Sequence, residues 1–307
     1  MRIYKGIHSL IGNTPLFEIT KIPLPNKVRL FAKLEYFNPG GSVKDRLGQE
    51  LLQDAINNGH ISRKGTLIEP TAGNTGIGLA LAAVGTDVTV IFVVPEKFSQ
   101  EKQMLMRSLG AKVVNTRTED GMLGAIAKTK DLLKEIPDSY SPSQFSNPAN
   151  PDTYYKTLGP ELVQELEGKI DVFVAGAGTG GTFMGTARYL KDTLASVKTS
   201  IVEPEGSILN GGDPGPHRTE GIGMEFLPPY MDTSYFDTIH TISDKEAFKY
   251  VLQLTKLEGL LVGSSSGAAF AAALKEAETA KPGSHIVTVF ADSSERYLSA
   301  GIYEGAE

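Results

Sequence analysis

The amino-acid sequence predicts an α/β fold with two domains, each an open, mostly parallel sheet flanked by helices. Its 307 residues suit about two domains of ordinary size. Short β-branched runs alternate with amphipathic stretches, which is the order of parallel sheets covered by helices. A stretch rich in Pro, Asn and Ser, SYSPSQFSNPANPD at 139–152, interrupts the alternation. It predicts a boundary between domains at 1–146 and 147–307, and part of residues 12–38 is open to assignment to the second domain.

The pattern of the first domain is a regular alternation. Predicted strands lie at 28–35, 66–70, 88–95 and 112–116. Predicted helices lie at 42–58, 74–85, 99–110 and 121–136. The strand VTVIFVVP is apolar throughout, as expected of a parallel strand buried on both faces. The helices have apolar residues at helical spacing, or end at a glycine.

The second domain continues the alternation around one long loop. Predicted strands lie at 171–178, 198–204 and 285–292. One predicted helix lies at 182–194, one in the tail, and one begins at SSSGAAFAAALKEA. The loop at 205–229 is rich in Gly and Pro.

The composition excludes several functional classes. A net charge of −6 argues against nucleic acid or an anionic membrane as partner. The absence of cysteine excludes disulfides, thiolate catalysis and zinc–thiolate sites, and no metal site is predicted. The start MRIYKGIHSL lacks the apolar segment of a signal peptide, and no apolar tract is long enough to span a bilayer. A cytoplasmic location is therefore expected.

Three turns of Gly, Ser, Thr and Asn are each predicted to follow a strand and to precede a helix. They are PTAGNTG at 70–76, GAGTGGT at 176–182 and GSSSGAA at 263–269. Ligands of parallel sheets bind beyond the carboxyl ends of the strands, where such turns gather. Glycines let backbone N–H groups approach an anion, and helix N-termini favour negative charge. The turns predict a small ligand that carries phosphate and carboxylate.

The middle turn also fits a second class of enzyme. Its glycines match the dinucleotide pattern G-x-G-x-x-G, and Glu203 follows about 20 residues later, as that pattern requires. An NAD-dependent oxidoreductase is therefore an alternative, as is a tight turn with no ligand. The hydroxyls of Thr179 and Thr182 favour a compact phosphate group instead.

Lys44 lies in the first turn of a predicted helix, within PGGSVKDR. A helix start carries partial positive charge, which disfavours an ammonium ion and favours the neutral amine. A neutral amine is the form that reacts with an aldehyde such as that of pyridoxal phosphate. The plainer alternative is a solvated surface lysine.

Eight ordered blocks resemble the cysteine synthase and cystathionine β-synthase family of pyridoxal-phosphate enzymes. They are IGNTPL, KLEYFNPGGSVKDR, EPTAGNTGIGLA, QFSNPANP, GAGTGGTF, EGIGMEF, GSSSGAA and DSSERYLS. The resemblance covers essentially the whole chain. It implies pyridoxal 5'-phosphate as cofactor, a homodimer, and the two-domain fold-type-II architecture, which is similar to the tryptophan synthase β chain.

The resemblance also assigns roles to individual residues. Lys44 resembles the lysine that bonds the cofactor, Asn74 the asparagine at its ring hydroxyl, and Ser265 the serine at its ring nitrogen. The residues that resemble the phosphate-binding turn are Gly178, Thr179, Gly180, Gly181 and Thr182. The residues that resemble the substrate-carboxylate site are Thr71, Gly73, Thr75 and Gln144. Taken singly, the Asn, Thr and Ser residues could be helix caps and the glutamine an ordinary loop residue.

The family's chemistry is β-replacement, in which a thiol displaces the β-substituent of a serine derivative and Lys44 serves as general base. Ala72 stands where cysteine synthases commonly carry serine. Glu220 and Glu225 stand where those enzymes tend to have uncharged residues. A carboxylate could pair with the ammonium group of homocysteine. This pattern resembles short bacterial O-acetylserine-dependent cystathionine β-synthases.

The predicted reaction is therefore the formation of cystathionine from O-acetylserine and homocysteine. The close alternative is cysteine synthase (O-acetylserine sulfhydrylase) chemistry with sulfide, and Glu220 and Glu225 would then be solvated loop charges. The sequence leaves open whether serine or O-acetylserine is the donor. It also leaves open whether the chain binds serine acetyltransferase, a partner of some cysteine synthases.

Overall fold

The structure, a computed structural model, describes residues 3–303. The strands of this part of the chain are β1 Leu16–Glu18, β2 Arg29–Leu34, β3 Thr66–Pro70, β4 Thr89–Pro95, β5 Lys112–Thr116, β6 Ser139–Tyr140, β7 Val172–Gly176, β8 Lys198–Pro204, β9 Thr238–Ile242 and β10 His285–Phe290. Its α-helices are α1 Lys44–Asn57, α2 Asn74–Ala83, α3 Gln100–Ser108, α4 Gly121–Glu135, α5 Ala149–Lys156, α6 Leu158–Glu165, α7 Gly181–Thr193, α8 Asp244–Gln253 and α9 Ser264–Thr279.

The chain divides into two compact units. Within the described residues, the N-terminal unit comprises 3–11 and Lys44–Asn150. The C-terminal unit comprises Gly12–Val43 and 151–303. The predicted boundary stood at residue 146, within a few residues of this division. The early segment with β1 and β2 belongs to the C-terminal unit because β2 pairs with β10.

The N-terminal unit is built on a four-stranded parallel sheet in the order β5-β4-β3-β6. Residues Val90 to Pro95 of the central strand β4 are all buried, as its unbroken apolar sequence predicts. Ile68, Val93 and Leu132 belong to the apolar core between the sheet and α4. Because β3 and β4 are parallel, their carboxyl ends lie at the same edge of the sheet.

Helices α1 and α2 of the N-terminal unit cross at two glycines. A Cβ built on Gly48 would lie 2.2 Å from the carbonyl carbon of Gly78. A Cβ built on Gly78 would lie 2.3 Å from the carbonyl oxygen of Lys44. Neither contact leaves room for a methyl group, so the glycines set how closely the first turn of α1 approaches α2.

The C-terminal unit is built on a six-stranded sheet in the order β1-β2-β10-β7-β8-β9. Only β1 runs antiparallel to its neighbour within this described sheet. Helix α9 is buried along most of its length and packs on the sheet and on α8. Its alanine-rich sequence allows this close packing. Phe270 of α9 and Phe290 of β10 pack edge to face.

The two parallel-dominated sheets flanked by helices confirm the predicted α/β class. Several short elements were not predicted: β1, β6, β9, α5 and α6. The predicted polar break at 139–152 itself contains β6 and the beginning of α5. Elements of two to eight residues carry too few periodic positions to be recognised from sequence. None of the helices within residues 3–303 is long and apolar enough to cross a membrane.

Candidate active site

Two of the three predicted turns follow the carboxyl end of a parallel strand. PTAGNTG joins β3 to α2 in the N-terminal unit, and GAGTGGT joins β7 to α7 in the C-terminal unit. The prediction of a strand before the third turn is wrong, because Val262 makes only an isolated bridge with Ser293. Helix α9 nevertheless begins directly after Gly263, as the sequence predicts.

Lys44 is the first residue of α1. The residue is half-buried, and the burial of its amine lowers the pKa from 10.5 to about 8. The direction agrees with the prediction from the helix start. The cause is different, because removal of the ammonium ion from water accounts for the shift. A buried amine with this pKa can exchange a proton near neutral pH.

The start of α2 brings together three of the predicted substrate-binding residues and Asn74, which is predicted to bind the cofactor. Gly73 is the N-terminal cap, and Asn74 and Thr75 are the first two helical residues. Thr71 is buried, and its hydroxyl accepts a 3.4 Å hydrogen bond from the N–H of Gly73. Thr71 therefore contacts the turn before the helix, and neither it nor Asn74 occupies the cap position.

Gln144 is brought to the same turn from a distant part of the N-terminal unit. Its side-chain oxygen accepts a 2.7 Å hydrogen bond from the hydroxyl of Thr75. The glutamine is buried, which argues against the alternative of an ordinary loop residue. Ala72, between Thr71 and Gly73, is partly exposed and contributes no hydroxyl.

The turn after β7 has the backbone that an anion site requires. Gly180 caps α7 with a φ of 81°, a left-handed conformation that favours glycine. The N–H groups of Gly181 and Thr182 open the helix, where they have no intrahelical acceptor. Thr179 and Thr182 are buried, and the Thr182 hydroxyl makes no hydrogen bond within residues 3–303. The N–H of Gly181 lies 3.5 Å from the Thr179 hydroxyl oxygen, and a glycine turn at a helix start is the type of backbone that binds phosphate.

The surroundings of this turn include a residue that the sequence patterns did not single out. The hydroxyl of Tyr230 donates a 2.8 Å hydrogen bond to the carbonyl oxygen of Thr179. A Cβ built on Gly180 would lie 2.1 Å from the sulfur of Met231. Tyr230 directly follows the two prolines that end the long loop, and no spacing in the sequence connects it with the turn.

Ser265 lies in the first turn of α9 and is buried. Its hydroxyl makes no hydrogen bond within the described part of the chain. Ser264 accepts from the N–H of Glu220 at 3.0 Å, and Ser266 accepts from the N–H of Ala291 at 3.1 Å. Gly263 is the N-terminal cap of α9 and no side chain caps the helix, which argues against the alternative that Ser265 or Ser266 is a cap.

A segment at 217–224, here called the strap, lies against both turns of the C-terminal unit. The N–H of Gly223 donates to the carbonyl oxygen of Ala177 at 2.8 Å. The carbonyl oxygen of Gly221 would lie 2.3 Å from a Cβ built on Gly178. A Cβ built on Gly221 would in turn lie 3.8 Å from the hydroxyl oxygen of Ser265. The strap therefore connects the phosphate-type turn with the start of α9.

Glu220 lies in the strap, and Glu225 follows it directly. Both glutamates are exposed. The Glu220 backbone is fixed through its bond to Ser264, and Met224 beside Glu225 is fixed by a 2.9 Å bond from its N–H to the hydroxyl of Ser207. Two carboxylates thus stand on an anchored backbone next to the predicted cofactor residues of this unit.

The dinucleotide alternative fails at Glu203. This residue lies at the end of β8, next to the last residue of the strand, as the pattern requires, but it is buried. Its carboxylate accepts from the N–H groups of Leu209 at 2.8 Å and Asn210 at 3.1 Å. It also accepts from the hydroxyl of Thr241 at 2.9 Å. A carboxylate that holds its own loop in this way does not present itself to a ribose.

Comparison with known proteins supports the pyridoxal-phosphate interpretation. A family model described as "Pyridoxal-phosphate dependent enzyme" matches residues 7–292. A Helicobacter pylori protein named cysteine synthase is 57% identical over 305 residues, which cover 99% of this chain and 100% of that protein. A Bacillus subtilis protein named O-acetylserine dependent cystathionine beta-synthase is also 57% identical over 305 residues, which cover 99% of each chain.

Solved structures give the same result. The crystal structure of O-acetylserine dependent cystathionine beta-synthase from Helicobacter pylori has a TM-score of 0.93 at 57% identity, covering 99% of this chain and 100% of that chain. Cysteine synthase from Entamoeba histolytica has a TM-score of 0.95 at 38% identity, covering 99% of this chain and 91% of that chain. The predicted fold-type-II architecture is thereby confirmed.

Proposed function

Because the chain belongs to the family of pyridoxal-phosphate dependent enzymes, we propose that it catalyses β-replacement on O-acetylserine with homocysteine as the thiol. In this reaction the bond between the β-carbon and acetate breaks, and a bond from the β-carbon to sulfur forms. The thiol proton is released, and the products are cystathionine and acetate. The chain is an enzyme of the cysteine synthase and cystathionine β-synthase type, which its similarity to both kinds of protein shows.

The residues present fit pyridoxal phosphate. The buried, unpartnered hydroxyls of Thr182 and Ser265 and the glycine turn before α7 suit a phosphate group and a ring nitrogen. We assign to the cofactor Lys44 and Asn74 of the N-terminal unit. From the C-terminal unit we assign Gly178, Thr179, Gly180, Gly181, Thr182 and Ser265. When bound, the cofactor supplies an aldehyde for amines and an electron sink for the α-carbon.

Lys44 is proposed to anchor the cofactor and then to act as general base. The lowered pKa supports both roles, because a neutral amine can bond an aldehyde and can accept a proton. In the second role its Nζ removes the α-proton of the donor substrate.

The donor's carboxylate is proposed to bind at the start of α2. Thr71, Gly73, Thr75 and Gln144 supply hydroxyl, backbone and amide groups there. The N-terminus of α2 adds the partial positive charge of its N–H groups. The 2.7 Å hydrogen bond from the Thr75 hydroxyl to the Gln144 side-chain oxygen places these two side chains next to each other, which supports the assignment.

The position of the strap is the observation that supports homocysteine as the thiol. Glu220 and Glu225 are exposed carboxylates on an anchored backbone that contacts both Gly178 and the start of α9. Homocysteine carries an ammonium group that such carboxylates can bind, whereas sulfide carries none. The absence of a hydroxyl at Ala72 is also compatible with a larger thiol.

Sulfide is the second candidate acceptor. The Helicobacter pylori relative with 57% identity is named cysteine synthase, and an enzyme of that name makes cysteine. In this case Glu220 and Glu225 contribute nothing to acceptor binding.

The test compares two thiols in Glu220→Gln and Glu225→Gln variants. Glutamine keeps the size of the side chain and removes only its charge. Loss of an exposed charge-assisted hydrogen bond is worth about 1 kcal/mol, so we expect the KM for homocysteine to rise about fivefold in at least one variant. The KM for sulfide should not change. Steady-state kinetics with saturating O-acetylserine and mass spectrometry of the products measure both effects.

Glu167→Gln is the matched control. Glu167 is an exposed glutamate of the same unit, and it precedes the amino end of β7. It should leave both KM values unchanged. Equal changes in the KM for homocysteine and for sulfide in the Glu220→Gln and Glu225→Gln variants would contradict the role of the glutamates. Cysteine as the main product of the unaltered enzyme would favour the sulfide reaction.

A further inference from the structure

Glu69 is a buried carboxylate whose hydrogen bonds all lead to one distant segment. It lies in β3, two residues before Thr71, and is 2% exposed. One oxygen accepts from the N–H of Gln144 at 3.1 Å. The other accepts from the N–H of Ser143 and from the hydroxyl of Ser141, both at 3.0 Å. The carboxylate thus binds the chain over residues 141–144 at three points.

The segment that it binds has an unfavourable backbone conformation. Ser143 has a φ of 53°, in the left-handed region that residues with a side chain rarely adopt. Such a conformation persists where its surroundings hold it in place, and it is common at functional sites. Here the Glu69 carboxylate holds the N–H of Ser143 itself and that of the next residue.

Gln144 is fixed on three sides as a result. Its N–H donates to Glu69, its carbonyl oxygen accepts from the Asn150 side chain at 2.7 Å, and its side-chain oxygen accepts from Thr75 at 2.7 Å. The backbone bonds determine where the side chain starts, and the bond to Thr75 determines where it ends. Gln144 therefore reaches the start of α2 in one orientation.

We propose that Glu69 is a positioning residue for donor binding: by holding the strained turn at Ser143, it presents Gln144 to the carboxylate of the amino-acid donor. The proposal rests on the donor-binding role that we assign to Gln144 and Thr75. It is independent of the thiol that the enzyme uses, because it concerns the first substrate only.

The chemistry of the side chain explains why a carboxylate is needed at this position. Three donors converge on its two oxygens, and a carboxylate has acceptor sites for all of them. Burial raises the pKa of Glu69, while the three hydrogen bonds act in the opposite direction. A glutamine would fill the same space, but its amide nitrogen would point a donor at the other donors.

The main test is Glu69→Gln, measured in the enzyme loaded with cofactor. Displacement of Gln144 should raise the KM for O-acetylserine about tenfold and leave the KM for the thiol unchanged, whichever thiol reacts. L-alanine, which has no group that can leave from its β-carbon, provides a second measurement. Its dissociation constant, read from the absorbance of the bound cofactor, should rise by a similar factor.

A double-mutant comparison separates positioning from a general structural role. If Glu69 acts through Gln144, Glu69→Gln should add less than twofold to the effect of Gln144→Ala on the KM for the donor. Multiplied effects in the double variant would overturn the proposal. A loss of thermal stability with an unchanged KM for the donor would overturn it as well.

Two further variants act as controls. Ser141→Ala removes one donor to Glu69 but leaves the bonds of Ser143 and Gln144, so the KM for the donor should change less than twofold. Ser143→Gly relieves the left-handed strain. It should bring the donor KM of Glu69→Gln back to within about threefold of the unaltered enzyme. If Glu69→Gln is too unstable to purify, the comparison with Gln144→Ala is made in the Ser143→Gly background.

Discussion

At the scale of single residues, Lys44 depends on its surroundings for its reactivity. A lysine at a helix start meets partial positive charge, but burial is the cause that lowers its pKa to about 8. The shift from 10.5 corresponds to about 3 kcal/mol of unfavourable free energy when the amine is protonated in the folded protein. Burial of Lys44 therefore lowers the stability of the fold and at the same time makes its amine neutral at moderate pH.

This cost predicts how stability depends on pH in the protein freed of cofactor. Between pH 8 and 10.5 the unfolded chain binds the Lys44 proton and the folded chain does not, so the free energy of unfolding rises with pH. Lys44→Met lacks this contribution. We expect the variant to be more stable than the unaltered protein by about 3 kcal/mol below pH 8, with the difference vanishing near pH 10.5. Urea unfolding at several pH values measures it.

Lys64→Met is the control for removing a positive charge, because Lys64 is exposed in the same unit. It should show no such trend relative to the unaltered protein. A difference for Lys44→Met that stays constant from pH 7.5 to 10.5 would contradict the assigned cause. The same variant should also lose turnover, because Lys44 is the proposed anchor and base.

At the scale of elements, the crossing of α1 and α2 positions the amine. Glycine within a helix costs about 1 kcal/mol relative to alanine. Both helices nevertheless carry one at their contact, where the Lys44 carbonyl oxygen would lie 2.3 Å from a Cβ on Gly78. The close approach places the first turn of α1, with Lys44, against the helix that begins with Asn74.

Gly78→Ala is therefore expected to separate the two helices. Alanine should gain about 1 kcal/mol in helix propensity, but a methyl group against backbone atoms costs about 1–3 kcal/mol. We expect a small net loss of stability, together with a fall in kcat of at least tenfold, because Lys44 moves relative to the start of α2. Steady-state kinetics and urea unfolding of the same samples measure the two effects.

Gly215→Ala provides the comparison, because a Cβ there would meet its nearest atom at an ordinary 3.6 Å. This variant should keep full activity. Full activity of Gly78→Ala would show that the helix crossing does not set the position of Lys44.

At the scale of the whole molecule, the proposed cofactor residues occur in both compact units. Lys44 and Asn74 belong to the N-terminal unit, and the turn before α7 belongs to the C-terminal unit with Ser265. A ligand that binds the folded protein and not the unfolded chain stabilises the fold. The gain is about 2.7 kcal/mol when the ligand concentration is 100 times the dissociation constant.

Removal of pyridoxal phosphate should therefore lower the Tm by on the order of 5 °C, and adding it back should restore the value. NAD should have no effect, because Glu203 is committed to Leu209, Asn210 and Thr241. Thermal scans of the same preparation with either compound distinguish the two classes of enzyme. Stabilisation by NAD alone would reverse the assignment.

Sequence patterns predicted the longer elements of the molecule because long runs repeat their periodic signal. Strands β3, β5 and β8 have the predicted bounds, and α1 begins within two residues of its predicted start. The short helices α5 and α6 were not predicted, since eight residues contain little more than two turns. Their existence depends on packing in the folded chain.

The candidate site divides in the same way. The glycine turns and Lys44 stand out in the sequence because their residue types are unusual for their positions. Glu69 and Tyr230 do not stand out, because each acts on a residue far away in the chain: Gln144 is 75 positions from Glu69, and Thr179 is 51 positions from Tyr230.

The sequence by itself determined the α/β class, the order of the main elements and the chemical types of residue that stand at the turns. These are local properties, since periodicity, glycine content and helix starts depend on residues that are close together in the sequence. Only the tertiary structure decided that burial lowers the pKa of Lys44, that the Glu203 carboxylate is hydrogen-bonded within its own unit, and that the Glu69 carboxylate accepts a hydrogen bond from the backbone of Gln144. Burial and hydrogen bonding between distant segments exist only once the chain has folded.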